Sequence, residues 1–150
     1  MFSGKTANYQ DRVIKNVGFW PDINAGEFEE RRQIPASIAN ATVVAALLAA
    51  IDSVNRDLDT WADIQCGKGY SSAADVPGPS CEGINALTES YKKAVFARAK
   101  ADLIPEFATV GRRETHPGAE SQETADGLRG EAAQVIRQIM GYARATVRLL

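Results

Sequence analysis

Residues 41–66 read ATVVAALLAAIDSVNRDLDTWADIQC, and the architecture of the chain turns on how that segment is taken. Its most apolar part, Ala41 to Ile51, is about half the length needed to cross a bilayer and runs straight into DSVNRDLD, so it belongs to a protein core. From Val44 the apolar residues recur at Leu47, Ile51, Val54, Leu58 and Trp61. Steps that alternate between three and four place them on one buried stripe of a helix. Asp52, Arg56, Asp59 and Asp63 fall mostly on the other side. Pro35 suits the first helical position, and Gly67 and Gly69 suit the stop. The spacing predicts a helix from Pro35 to about Cys66, roughly 45 Å long at 1.5 Å per residue.

The same period resumes at Ile84, Leu87, Tyr91, Val95, Ala99 and Leu103, a second long helix whose outer face carries Lys92, Lys93 and Lys100. Pro105 disfavours helical geometry at Ile104, so this helix is expected to end or kink there. A last helix is predicted from about Ser121 to Met140, with Ala125, Leu128, Ala132, Val135, Ile136 and Ile139 facing inward. Gly127 and Gly130 weaken it, each by up to ~1 kcal/mol relative to alanine. Between the two long helices, YSSAADVPGPSCEG (residues 70–83) is a run of turn formers and reads as a loop. VGRRETHPGAE, from Val110, reads as another.

The two ends differ from this middle. Met1 to Phe19 has no sustained period and reads as an extended or partly ordered arm. The stretch GFWPDI (residues 18–23) follows it, and Pro21 presses Trp20 into an extended conformation. Phe19, Trp20 and Pro21 are therefore expected to anchor the arm on the helical body, since burial of such a ring is worth a few kcal/mol. DINAGEFEERR then gives a short helix, with Asn24 and Glu27 at capping-box spacing. At the other end, Tyr142, Arg144, Thr146 and Arg148 alternate with Val147 and Leu149 up to Leu150, which reads as a strand. A lone terminal strand invites pairing with another chain or with the N-terminal arm. The expected architecture is all-α: one domain over residues 1–150, a small bundle with two long helices, an arm at 1–19 and a strand at 142–150. Leu47, Ile51, Val54, Leu58, Trp61, Tyr91, Val95, Leu103, Val135 and Ile139 are its expected core.

Composition sets limits on function. With 45% hydrophobic and 24% charged residues, the 150-residue chain is large enough to bury a core. A formal net charge of −2 gives no sign of a polyanion-binding protein. The N-terminus lacks the apolar core of a signal peptide, which points to cytosolic synthesis. Cys66 and Cys81 flank a loop and form neither a zinc nor a redox motif, although a disulfide across the loop is geometrically open. SGKT at Ser3 to Thr6 has the end of a phosphate-binding loop without its beginning. His116 is the sole histidine and sits in a Pro/Gly loop, with no ligand or nucleophile at suitable spacing. Asp52, Asp59 and Asp63 share a face and read as solvated carboxylates. No catalytic, cofactor or metal site is expected. Lys92, Lys93, Lys100, Arg112 and Arg113 form the one basic concentration, without the interleaved aromatics of a single-strand-binding groove. A helical DNA-binding or regulatory protein remains the alternative those residues allow, and salt-dependent DNA affinity would be its mark.

GFWPDI, AAIDSVNRDLDTW, GYSSAADVP, YKKAVFARAKADL and RATVRLL, in this order from Gly18 to Leu150, together resemble the head completion protein family (GPL) of contractile-tailed bacteriophages. The resemblance implies a non-enzymatic helical adaptor without cofactors. It implies a homo-oligomeric, twelve-subunit ring beneath the portal protein that extends the DNA channel and meets a tail terminator or neck protein. The genomic DNA would pass through without sequence-specific binding. No membrane is involved, and the protein would sit in the virion neck after a period in the host cytoplasm. In that setting the terminal segment, Tyr142 to Leu150, is expected to dock on the portal or on an adjacent subunit.

Overall fold

A computed structural model describes residues 8–110 and 118–142. Among these, the chain is mostly helical, with two small antiparallel sheets of two strands each. Strand β1 (Val13–Ile14) pairs with β2 (Ile23–Asn24), and α1 (Ala25–Arg32) follows at once. Helix α2 (Asn40–Gly67) comes next, then a one-turn 3-10 helix at Ala73–Asp75 and the hairpin β3 (Ser80–Cys81) and β4 (Ile84–Asn85). Helices α3 (Ala86–Val110) and α4 (Gly118–Ile139) complete the body.

The described part of the N-terminal segment is no free arm. Ile14 and Phe19 are buried, and β1 folds back on β2 around the turn at Gly18, whose φ of 70° suits glycine. Farther back, the Ala25 amide donates to the Arg12 carbonyl at 2.8 Å, and the Asn24 side chain donates to Asp11 at 3.1 Å. Here the backbone lies so close to α1 that a Cβ on Gly26 would stand 2.0 Å from the Gln10 carbonyl oxygen. Glycine is the one residue that permits this crossing. Asn24 caps α1 by accepting from the Gly26 and Glu27 amides at 2.8 and 3.2 Å.

Helix α2 has 28 residues, a rod of about 42 Å, and it begins at Asn40 rather than Pro35. Gln33, in the left-handed conformation at φ 53°, stops α1. The next residues then spend a turn tucking Ile34 and Ile38 into the core, so the Ile38 amide reaches the Pro35 carbonyl at 3.1 Å. Burial of two isoleucines outweighs the helical preference of the segment. The inward stripe of α2 consists of Val43, Ala46, Leu47, Ala50, Ile51, Val54, Leu58 and Ala62, all buried. Val44 and Trp61 are half-buried along its margin. The loop at residues 70–83 is not wholly irregular, because it contains the 3-10 turn and the strand β3. Buried Asn85 holds it closed by donating to the carbonyls of Ala73 and Val76 at 2.7 and 3.0 Å, while accepting from the Thr88 amide as a cap on α3.

Two expectations about the second long helix are corrected. First, α3 is the central helix: Tyr91 and every residue from Ala94 to Ala97 are buried, so little outer face is left. Lys92 and Lys100 are half-buried and tied down, Lys92 to Glu27 at 3.3 Å and Lys100 to the Arg32 carbonyl at 2.9 Å. Lys93 alone of the three is exposed. Second, α3 runs through Pro105 to Val110. Proline removes one helical donor, but Leu103 is buried in the main core and Ile104 in a smaller cluster beside it, and that packing holds the helix in register. Ala101, Ile104 and Ala125 form a small cluster of their own there, with Phe107 and Leu128 against it.

Helix α4 buries Ala125, Ala132, Val135 and Ile136, with Leu128 and Ile139 half-buried. Gly127 and Gly130 face open space. From Ser53 with Arg98 to Asn55 with Tyr91 the contacts rise along α2 and fall along α3. From Ile104 with Ala125, through Asp102 with Arg129, to Lys100 beside Glu131 they fall along α3 and rise along α4, so α3 is antiparallel to both flanking helices. The C-terminal ends of α2 and α4 therefore lie at one end of the bundle.

Candidate functional site

Trp20 is the centre of the best-defined arrangement in the molecule. Its ring lies between Tyr91 of α3, at 4.5 Å and 7° between planes, and Trp61 of α2, at 5.9 Å and 18°. Phe19 meets it edge-on at 4.9 Å. Parallel offset stacking on both faces joins the N-terminal segment to both long helices through one side chain. Pro21 is half-buried beside it. Trp20 itself is 6% exposed.

A closed polar triangle backs the rings. The Asn16 amide donates to the Tyr91 hydroxyl at 2.8 Å, the hydroxyl donates to the Asn55 Oδ1 at 2.6 Å, and the Asn55 amide donates to the Asn16 Oδ1 at 2.9 Å. Each member both gives and receives. Asn16 also donates to the Pro21 carbonyl at 2.9 Å, and its backbone amide reaches Asp22 at 2.8 Å. Burial pushes the Tyr91 hydroxyl up to about 12, against the opposing hydrogen bond from Asn16, so it stays a donor throughout the neutral range. The hydrogen bond from the Asn16 amide, then Lys15, holds the Asp22 carboxyl below its ordinary value.

Beside the node a groove of about 300 Å³ opens between the turn at Val17–Trp20 and the outer flank of α2. Its α2 wall carries Asp59 and Asp63, its far end Cys66, and its opposite lip Val17, which is 77% exposed. Cys66 and Cys81 are both free and exposed.

The opposite side of the body is joined by charge. Arg32 pairs with Glu131 at 2.8 Å, linking α1 to α4, and Arg31 pairs with Glu89 at 2.8 Å and Glu27 at 3.1 Å. The hydrogen bond from Arg32 holds the Glu131 carboxyl below the usual glutamate range, as the one from Arg31 does for Glu89. Of the basic concentration expected from sequence, Lys92 and Lys100 serve internal contacts and Lys93 is exposed, while Arg112 and Arg113 lie outside the described residues, as does His116. Asp52, Asp59 and Asp63 are exposed, with Asp52 paired to Arg56. Among the described residues no cluster of His, Cys, Asp and Glu is arranged to hold a metal ion, and no helix is long and apolar enough to cross a membrane.

Leu47, Ile51, Val54, Leu58, Tyr91, Val95, Leu103 and Val135 are buried, while Trp61 and Ile139 are partly so. Of the terminal segment, Tyr142 is described: it is 59% exposed, with the Arg137 guanidinium 5.6 Å from its ring centre. Arg144, Thr146, Val147, Arg148, Leu149 and Leu150, and the strand expected there, lie outside the described residues, as does SGKT. Sequence reasoning missed Asn16, which has no periodic signal, and Gly26, whose position in the first turn of a short helix was the available clue.

Related sequences come from phage heads. The chain is 42% identical over 150 residues, the whole of both proteins, to the "Probable head completion/stabilization protein" of Haemophilus phage HP1. It is 28% identical over 137 residues, 90% of this chain and 81% of the relative, to the "Head completion/stabilization protein" of Escherichia phage P2. No solved structure matches it. The family model for the phage head completion protein (GPL) matches residues 14–150, a span that begins within β1, so the chain belongs to that family.

Proposed function

We propose that this protein, a structural component of phage head assembly, works as a connector adaptor: copies form a ring beneath the portal, extend the DNA channel and present a surface to the next neck or tail protein. The observation that carries the reading is the identity of 42% along the whole of a phage protein named for head completion and stabilization. Two features of the body suit the task. The rods α2 and α4 flank the central α3 and offer long sides to lateral neighbours, and the chain leaves α4 at the end of the bundle where Tyr142 is exposed. Residues Tyr142 to Leu150 then dock on the portal or an adjacent copy, through main-chain pairing and the cations Arg144 and Arg148. Family members are virion components; this chain would sit in the neck, after synthesis in the host cytoplasm.

The test removes Ala143 to Leu150, leaving every described element intact, and measures binding to portal-containing heads together with light scattering in the presence and absence of portal. Loss of binding with an unchanged melting curve is expected. Undiminished binding by the truncated protein would exclude the docking role of the terminal segment.

A further inference from the structure

Charge along α2 is unevenly resolved. Of the four acidic residues of α2, Asp52 is paired with Arg56 and Asp57 with Arg98, but Asp59 and Asp63 have no ion pair among the described residues. They stand toward the C-terminal end of the helix, where the helix dipole is negative, and the last turn holds no basic residue. Lys68 follows the helix, outside the groove. Two uncompensated carboxylates thus form one wall of a groove whose other wall ends in Val17, the most exposed large apolar residue described. A segment filling it needs cations along one side and apolar side chains along the other.

The chain contains such a segment. In ARATVRLL (residues 143–150), Arg144, Thr146 and Arg148 alternate with Ala145, Val147 and Leu149, so in an extended conformation one edge is cationic and the other apolar. It leaves α4 at the end of the bundle to which Asp63 and Cys66 belong, since α2 and α4 both run antiparallel to α3. The groove, however, opens on the far flank of α2. Asn55, Asp59 and Cys66 lie across that helix from Ala50 and Ser53, which face Arg129 of α4. A copy's own tail would have to pass around α2, whereas a neighbour on that flank delivers its tail directly.

We infer that the groove between Val17–Trp20 and α2 receives the C-terminal segment of the adjacent copy, with Arg144 and Arg148 toward Asp59 and Asp63 and with Val147 and Leu149 toward Val17. The inference rests on the ring reading above and specifies which surface takes the tail. Each subunit is then both donor and acceptor in a head-to-tail series, the arrangement that closes into rings.

Native Cys66 at the end of the groove supplies the test. In a full-length Cys81→Ser, Val147→Cys protein, a short bismaleimide should give a ladder of covalent dimers, trimers and higher species under conditions where light scattering shows oligomers. Without Val147→Cys, coupling stops at dimers. Asp59→Arg with Asp63→Arg should lower the ladder yield about fivefold or more, and adding Arg144→Asp with Arg148→Asp should restore it. An adduct confined to single chains would show that the tail folds back on its own body and would overturn the inference. So would oligomers without a ladder, which leave the ring reading standing. Monomers both alone and with portal would sink the two together.

Discussion

The two sides of this protein are held by different chemistry. Where the N-terminal segment meets α2 and α3, one indole is stacked on both faces, edged by Phe19 and backed by three side chains that satisfy one another. Where α1 meets α4, the link is a half-exposed ion pair, Arg32 with Glu131, beside a helix that buries mainly alanines and small branched residues and carries two glycines facing open space. Shape-specific contacts in a dry setting are lost together when one member is removed; a partly solvated ion pair is worth little and is screened by salt. The chain thus fixes its N-terminal segment by shape and joins α1 to α4 by charge, while α4 itself packs along α3.

The largest effect should come from Trp20→Ala. Removing the ring leaves a cavity between Trp61 and Tyr91 and is expected to cost about 3–5 kcal/mol, a fall of roughly 10 °C or more in Tm by far-ultraviolet circular dichroism. An unchanged melting curve would mean that the ring serves a partner surface and that the two sides are not so different. Tyr91→Phe is milder because the stack survives while the triangle opens and leaves Asn16 and Asn55 short of a partner. We expect a loss of about 1–2 kcal/mol in urea unfolding.

The smallest effect should come from Glu131→Gln, and it should depend on pH. Arg32 depresses the carboxyl pKa in the folded protein below its unfolded value. The pair therefore adds stability above the unfolded pKa, and that addition disappears as pH falls through the lower, folded one. Wild type and variant should differ by no more than about 1 kcal/mol at neutral pH and converge by about pH 3. A constant difference across that range would locate the effect in packing rather than charge.

The same contrast separates what the order of amino acids reveals from what only folding creates. The stripe of α2 and the inward positions of α4 are legible because each helix has one wet face, so apolar residues recur with the helical period. Trp20 is legible because proline beside an aromatic near a terminus demands a local reason. The hairpin of residues 13–24 is not, since strands of two residues carry no period and their partners are found only by folding back. Helix α3 misleads in two ways. Its lysines look like an outer face because a long aliphatic stem can cross buried ground to reach Glu27 or a carbonyl. Its proline looks like a stop because the packing of Leu103 and Ile104 just before it is a tertiary fact. Trp20 stands out in the sequence, but the triangle of Asn16, Asn55 and Tyr91 does not: side chains up to 75 positions apart along the chain give no local signal.

One consequence concerns how this molecule will be watched. Both of its tryptophans stand in the same stack. Intrinsic indole emission is therefore a built-in optical gauge of the joint between the leading segment and the rods, and of little else. Departure of the final helix from the body would pass almost unseen by that light, whereas a ligand settling in the neighbouring groove would change its colour.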